Sequence, residues 1–251
     1  MKFYLFFILF LFQFKIFGQL NQTDSKGRKQ GAWEKKYPNS TVLQYKGQFI
    51  DNNPVGVFTY YYPEGQVKAM IEHSKDGHRS RAVFYFENKM MLSDGFYFDQ
   101  KKDSTWVNYN PEGLILSVET YKIDKLNGKK VIYYLEGQIE TEKLNPLSVA
   151  NYKDDKLNGD YKEYFSTGKI KKTGSYSDGK QIGEWKDFYP NGKIYSISKF
   201  KDDLLHGWTI AYDKDGAEIS RFMYKNGERL DEKQLKSYLK LCQEKGIDPN
   251  Q

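Results

Sequence analysis

The sequence predicts an all-β protein: an elongated, single-layer antiparallel sheet of about eight stacked hairpins, followed by a C-terminal capping helix. Two features favour this fold. Rings are abundant, with 21 Tyr, 17 Phe and 4 Trp in 251 residues, and aromatic residues are enriched in strands. A short motif also recurs along the chain at a near-constant interval, which is the mark of a repeat architecture.

The first 18 residues are predicted to be a signal peptide and not part of the fold. Lys2 is followed by an apolar run from Phe3 to Phe12, and the small Gly18 suits a cleavage site. The run is shorter than the roughly 20 residues that span a bilayer. We therefore expect an exported protein, located in the periplasm, the cell envelope or the medium; an uncleaved anchor is the alternative.

The repeat begins at an anchor residue, usually glycine, with a ring two positions later in many copies. Successive anchors are separated by 23 to 31 residues. The anchor glycines, predicted to lie at repeat turns, are Gly31, Gly56, Gly128, Gly159, Gly183 and Gly207, with Arg81 and Ser104 replacing glycine in two further copies. The rings predicted to form a ladder across the sheet, and with it a possible interface for a partner protein, are Trp33, Phe58, Trp106, Tyr161 and Trp185.

Turn chemistry separates the predicted strands. An aromatic residue recurs five positions after most anchors, and a glycine four positions later closes turns such as Tyr189-Pro-Asn-Gly192. Ring positions two and five after the anchor have opposite parity. Either both faces of the sheet therefore carry rings, or a β-bulge in each strand shifts the alternation of its side chains between the two faces. The one long interval, around Thr141–Val149, predicts an exposed loop that includes Pro146.

The C-terminal segment Asp231–Lys245 predicts a helix that covers the end of the sheet. Asp231 and Gln234 have capping-box spacing. Leu235, Tyr238 and Cys242 fall on one apolar face, and Gly246 ends the helix. The predicted organisation is thus a signal peptide at 1–18, a repeat array at 19–229, and a helix with its tail at 230–251.

The pattern from Gly183 to Gly207 resembles the bacterial variant of the MORN repeat, and the resemblance extends over roughly Gly27 to Gly227. It implies a scaffold of MORN-like hairpins. Proteins of this class are commonly labelled YwqK-type antitoxins, so the resemblance implies an immunity role against a toxin. Related arrays that contact membranes or proteins imply a non-enzymatic binding module.

Sequence chemistry supplies no catalytic, cofactor or metal site. We interpret His73, His78 and His206 as turn residues, Cys242 as a buried thiol, and the Asp154-Asp155 pair as a solvated turn. Removing Lys2 and Lys15 lowers the net charge from +6 to +4, too dilute a charge to indicate nucleic acid. The expected partner is another protein. Lysine clusters such as Lys169–Lys172 leave peripheral attachment to anionic membranes as the alternative.

Overall fold

A computed structural model describes residues 19–138 and 143–250. The predicted signal peptide, 1–18, lies outside the described residues. The strands are β1 Gln22–Thr23, β2 Lys29–Lys36, β3 Leu43–Ile50, β4 Asn53–Tyr61, β5 Val67–His73, β6 Arg79–Tyr85, β7 Met91–Phe98, β8 Lys101–Tyr109, β9 Ile115–Lys122, β10 Lys125–Tyr133, β11 Pro146–Lys153, β12 Lys156–Tyr164, β13 Ile170–Ser177, β14 Lys180–Phe188, β15 Ile194–Lys201, β16 Leu204–Leu205, β17 Gly207–Tyr212, β18 Glu218–Lys225 and β19 Glu228–Arg229. Helix α1 spans Glu232–Lys245.

The strands form a single open antiparallel sheet, as predicted. Strands that follow one another in sequence pair with each other, except that β17 pairs with β15 across the short β16. One pairing, for example, joins Gly183 to Phe200 and Phe188 to Ile194 between β14 and β15. Because the sheet grows hairpin by hairpin, every repeat buries its side chains against the next.

Two kinds of turn alternate along the array. At the first, Gly192 in left-handed geometry (φ 89°) donates its N–H to the Tyr189 carbonyl at 2.8 Å. At the second, two residues such as Asp202 and Asp203 both have positive φ, 50° and 70°, the conformation of a type I′ hairpin turn. The Asp203 carboxylate then accepts the N–H of Gln181 in the preceding hairpin, at 2.7 Å.

Tyrosine hydroxyls tie successive repeats together at the first kind of turn. Tyr62 donates its hydroxyl to the Tyr85 carbonyl at 2.8 Å, and Tyr189 donates to the Tyr212 carbonyl at 3.0 Å. The donor and acceptor lie 23 residues apart in both pairs. Each bond therefore joins one repeat to the next instead of stabilising a single hairpin.

Two details of the predicted repeat are wrong. The residues Pro146 and Val149 lie in strand β11 and pair with Tyr133 and Val131, so this part of the long interval is not a loop. A proline at the first position of a strand needs no N–H for the ladder, which explains its tolerance there. Thr141 lies outside the described residues.

The anchor predicted at Arg81 is also wrong, because this repeat has no bulge there. Strands β5 and β6 pair in unbroken register from Ala69↔Phe84 to His73↔Ser80. The turn of this repeat begins at Phe86, and the ladder ring of a repeat lies four residues before its turn. Ala82 occupies that position and is fully buried. The anchor position two residues before Ala82 is therefore Ser80, one residue before the predicted Arg81 and 24 residues from both Gly56 and Ser104.

Helix α1 has the predicted caps. The Asp231 carboxylate accepts the Gln234 N–H at 2.8 Å, the Gln234 side chain accepts the Asp231 N–H at 2.9 Å, and Gly246 ends the helix with φ 61°. Cys242 is buried, as predicted. Asn250 in the tail accepts the Trp208 N–H of β17 at 3.2 Å, which ties the C-terminus to the last hairpins. No helix among the described residues is long and apolar enough to cross a membrane.

Candidate functional site

The ladder rings of the repeats lie on one face of the sheet, here called the ring face, which carries Phe58, Trp106 and Trp185. These three side chains are only 1–3% exposed, while Trp33 and Tyr161 are half-buried. Phe58, Trp106 and Trp185 are therefore buried within the fold and are not free to contact a partner.

Two features allow a single-layer sheet to bury these rings: a β-bulge beside each anchor and a glycine on the neighbouring strand. Anchors Gly56, Ser104 and Gly183 take positive φ of 61–66°, and the strand register shifts beside each of them. On the neighbouring strand, the ring of Phe58 covers Gly47 so closely that a Cβ there would lie 2.6 Å from it. The bulge and the glycine together let each ring lie flat over the adjacent strand.

The glycines beneath the rings were missed by the sequence analysis. Gly47, Gly95 and Gly174 each precede an anchor by nine residues, in a Gly-x-aromatic pattern. That spacing is as regular as the turn glycines and was available as a signal. A side chain on Gly95 or Gly174 would collide with Trp106 or Trp185, respectively.

An ion pair replaces the ring and the glycine in the repeat anchored at Gly128. Lys130 occupies the ring position and Glu119 the glycine position, and their charged atoms are 2.9 Å apart. The Tyr121 hydroxyl also donates to Glu119, at 2.7 Å. Burial alone would raise the pKa of Glu119, but the hydrogen bonds from Lys130 and Tyr121 outweigh it and hold the pKa below its usual value.

A groove of about 520 Å³ opens on the ring face beside the repeat that carries Ala82 in place of a ring. Four aromatic side chains line it: Phe49, Phe58, Tyr60 and Tyr97. His73 also lines it, and this residue ends strand β5 instead of lying in a turn as predicted.

The His73 side chain is held within the groove by aromatic packing. It lies edge-on against Phe58 with ring centroids 5.3 Å apart, and its buried Nε2 has no hydrogen-bond partner among the described residues. Burial lowers the pKa of His73. The groove therefore combines aromatic walls with the imidazole of His73, beside the polar side chains of Asn53, Ser80 and Gln100 at its lining.

The opposite face, here called the aliphatic face, carries a row of side chains in direct cross-strand register. Val107, Val118, Val131 and Val149 follow one another across β8 to β11. The same row continues through Asp94 to Val83 and Met70. The Tyr85 ring shares a shallow groove with Met70 on this face. Both faces therefore carry rings, and β-bulges also shift the strand register.

An arginine–carboxylate pair lies within this aliphatic surface. Arg81 donates to Asp94 from Nε at 3.2 Å and from Nη2 at 2.8 Å. Around the pair, the side chains of Val57, Met70 and Phe96 remain 40–47% exposed. Exposed apolar side chains around a fixed guanidinium are typical of protein interfaces.

The remaining candidates have local partners. His78 Nδ1 lies 2.7 Å from Asp99 Oδ1 at a turn, and His206 Nδ1 lies 3.0 Å from Asn226 Oδ1. The lysine cluster is neutralised in part, because Lys171 and Lys172 pair with Glu163 and Asp187. Within 19–138 and 143–250, no group of three or more His, Cys, Asp or Glu side chains could hold a metal ion.

Three of the repeats match a known family. The MORN repeat variant family matches three segments, residues 54–75, 157–178 and 181–202. No curated protein matches the chain.

Two solved structures show a remote likeness to the chain. A mutant of S. aureus TarM in complex with Fondaparinux, alpha-GlcNAc-glycerol and UDP is 16% identical, with TM-score 0.25, over 51% of this chain and 19% of that chain. The Photorhabdus luminescens Tc holotoxin pore with a mutated TccC3 is 9% identical, with TM-score 0.19, over 72% of this chain and 11% of that chain. The chain therefore spans a fifth or less of the length of either structure.

The matched segments agree with the geometry. Each covers one anchor with its strand pair: Gly56 in β4 and β5, Gly159 in β12 and β13, and Gly183 in β14 and β15. The chain is thus a scaffold of stacked β-hairpins that contains three MORN repeat variants.

Proposed function

We propose that the protein is an exported, non-enzymatic repeat scaffold that binds another protein through its aliphatic face. The observation that carries the proposal is the exposed apolar surface around the Arg81–Asp94 pair, where Val57, Met70 and Phe96 stay 40–47% exposed. Patches of this kind mark interaction sites in soluble proteins. The export itself rests on the N-terminal signal in the sequence.

The different burial of side chains on the two faces supports the proposal. The ring face uses its largest rings to hold the repeats together, since Trp106 and Trp185 are almost fully buried. Met223 of β18, which pairs with Trp208, is buried on the aliphatic face, so apolar side chains on this face are suited to being covered. Along β4 to β9 no described segment covers Val57 or Phe96.

The proposal extends to the kind of partner. An immunity role, in which the scaffold binds and neutralises a toxin, is supported by the resemblance to YwqK-type antitoxins. Attachment to anionic lipid through lysine rows is the alternative. It has less support, because Lys171, Lys172 and Lys186 already pair with carboxylates at 2.6–3.2 Å.

The test is cross-linked affinity capture from the native cells with matched variants. Met70→Glu places a charge in the aliphatic surface, and Ile219→Glu does the same at another exposed apolar residue, in the last hairpin. A protein recovered by the wild type and by Ile219→Glu, but lost with Met70→Glu, would support the proposal. Recovery unchanged by Met70→Glu would contradict it.

A vesicle assay tests the alternative. Lipid attachment requires flotation with vesicles that contain phosphatidylserine, loss of flotation at high salt, and none with neutral phosphatidylcholine. That pattern, with no protein recovered by capture, would replace the proposed protein-binding role. If a captured protein is toxic alone and harmless with the scaffold, the immunity role follows.

A further inference from the structure

The groove on the ring face has the attributes of a ligand site and is separate from the aliphatic face. Its volume of about 520 Å³ falls within the roughly 300–1,000 Å³ range of small-molecule pockets. Ile71 and the rings of Phe58 and Tyr97 form the apolar part of its lining, and Asn53, Ser80 and Gln100 contribute polar side chains. Among the described residues that line it, none is Lys, Arg, Asp or Glu.

The groove also contains a buried polar atom that has no partner. His73 Nε2 is shielded from solvent and makes no hydrogen bond to any described residue. A buried nitrogen without a partner is unfavourable, and such an atom at a ligand site is satisfied when the ligand binds. The neighbouring histidine, His78, already pairs with Asp99.

The chemistry of these groups selects the ligand. Rings pack on aromatic walls edge-to-face or offset-stacked, so the apolar part of the ligand is a planar ring. Nε2 of a neutral imidazole is a donor in one tautomer and an acceptor in the other. A hydroxyl satisfies both, whereas an indole N–H can only donate. Because burial lowers the pKa of His73, its imidazole is neutral near pH 7 and offers no charge to an anion.

We propose that this groove binds a neutral phenol group, with the ring against Phe58 and Tyr97 and the hydroxyl bonded to His73 Nε2. The phenol belongs either to a tyrosine side chain of a polypeptide or to a free small molecule. The chemistry recognised is the same in both cases, and the experiment separates them.

The probe is p-cresol, titrated into the purified protein while the imidazole nitrogens of His73 are followed by NMR. We expect a saturable shift of the Nε2 signal, with toluene binding about tenfold more weakly because it lacks the hydroxyl. His73→Phe should weaken p-cresol about tenfold and leave toluene unchanged. If this variant does not fold, Asn53→Trp, which fills the groove from its exposed rim, should abolish binding of both probes.

Two further probes identify the source of the phenol. A free phenol is indicated if p-cresol and N-acetyl-tyrosinamide bind equally well, and a polypeptide tyrosine if an extended tyrosine-containing peptide binds at least tenfold more tightly than either. Equal binding of p-cresol and toluene, or no shift at His73 with any probe, would overturn the proposal. Because Met70 and the groove lie on opposite faces, such a failure leaves the protein-binding role untouched.

Discussion

Gly95 lies beneath the indole of Trp106, so close that a methyl group on Gly95 would collide with the ring. Trp106 is 1% exposed, although it belongs to a sheet of a single layer. The ring is buried because Gly95 has no side chain, so the indole packs directly on the backbone of the neighbouring strand. Gly174 and Trp185 have the same relationship, so the arrangement recurs in the repeat and is not confined to one strand.

Gly95→Ala should destabilise the protein by about 1–3 kcal/mol, the range for overpacking a filled core. The measurement is the free energy of unfolding in urea. In a Trp106→Ala background the ring is gone, so the same substitution should cost nothing or stabilise the strand, since glycine weakens a strand interior. A Gly95→Ala penalty that is equal in both backgrounds would show that ring and glycine are not coupled.

The two buried tryptophans should respond differently to phenylalanine. Trp106 donates Nε1–H to the Phe96 carbonyl at 3.0 Å, whereas the buried Nε1 of Trp185 has no partner among the described residues. Trp106→Phe should therefore cost about 0.5–1.5 kcal/mol more than Trp185→Phe, the contribution of one hydrogen bond. Thermal unfolding of the two variants side by side checks this, and equal losses would contradict it.

Patterns of neighbouring residues in the sequence correctly predicted the structural features that depend on local chemistry. The turn at Tyr189–Gly192, the capping box of Asp231 and the hairpin succession depend on residues a few positions apart, and all are found. Cross-strand partners depend on register, which a bulge shifts by one residue. This is why Gly95 beneath Trp106, the Ala82 position and the strand pairing of Pro146 were not predicted.

The candidate site was predicted less well than the fold. The ladder rings were proposed as an interface, yet the structure buries Phe58, Trp106 and Trp185. The exposed aliphatic row and the groove at His73 arise from side chains far apart in sequence. Only the sheet register places Met70 beside Val83, or Phe58 beside His73.

The Glu119–Lys130 pair should be exchangeable for the ring and glycine of other repeats. Glu119→Gly leaves the Lys130 ammonium unpaired, and Lys130→Trp places an indole against the Glu119 carboxylate. The double variant restores the arrangement of Gly95 and Trp106. We expect a favourable coupling of about 0.5–3 kcal/mol between the two changes, measured by urea unfolding of the four proteins. Additive losses would show that the position cannot accept a ring.

The same pair should make stability depend on pH. Hydrogen bonds hold the pKa of Glu119 below its usual value of 4.5, so the folded state favours the carboxylate. A lowered pKa contributes stability that is present above the unfolded-state pKa and is lost as pH falls through the folded-state pKa. Wild type should therefore exceed Glu119→Gln by about 1.5–3 kcal/mol near neutral pH, and the difference should shrink below about pH 4.

Unfolding free energies of wild type and Glu119→Gln, measured across this pH range, test the dependence. The control is Glu184→Gln on the aliphatic face. Lys186 and Lys199 approach the Glu184 carboxylate at 2.8 and 3.8 Å, but it is 40% exposed against 11% for Glu119. Solvent screening should leave the Glu184 variant with a smaller loss. A Glu119→Gln deficit that stays constant from neutral to acid pH would mean that the ionised carboxylate does not stabilise this rung of the sheet.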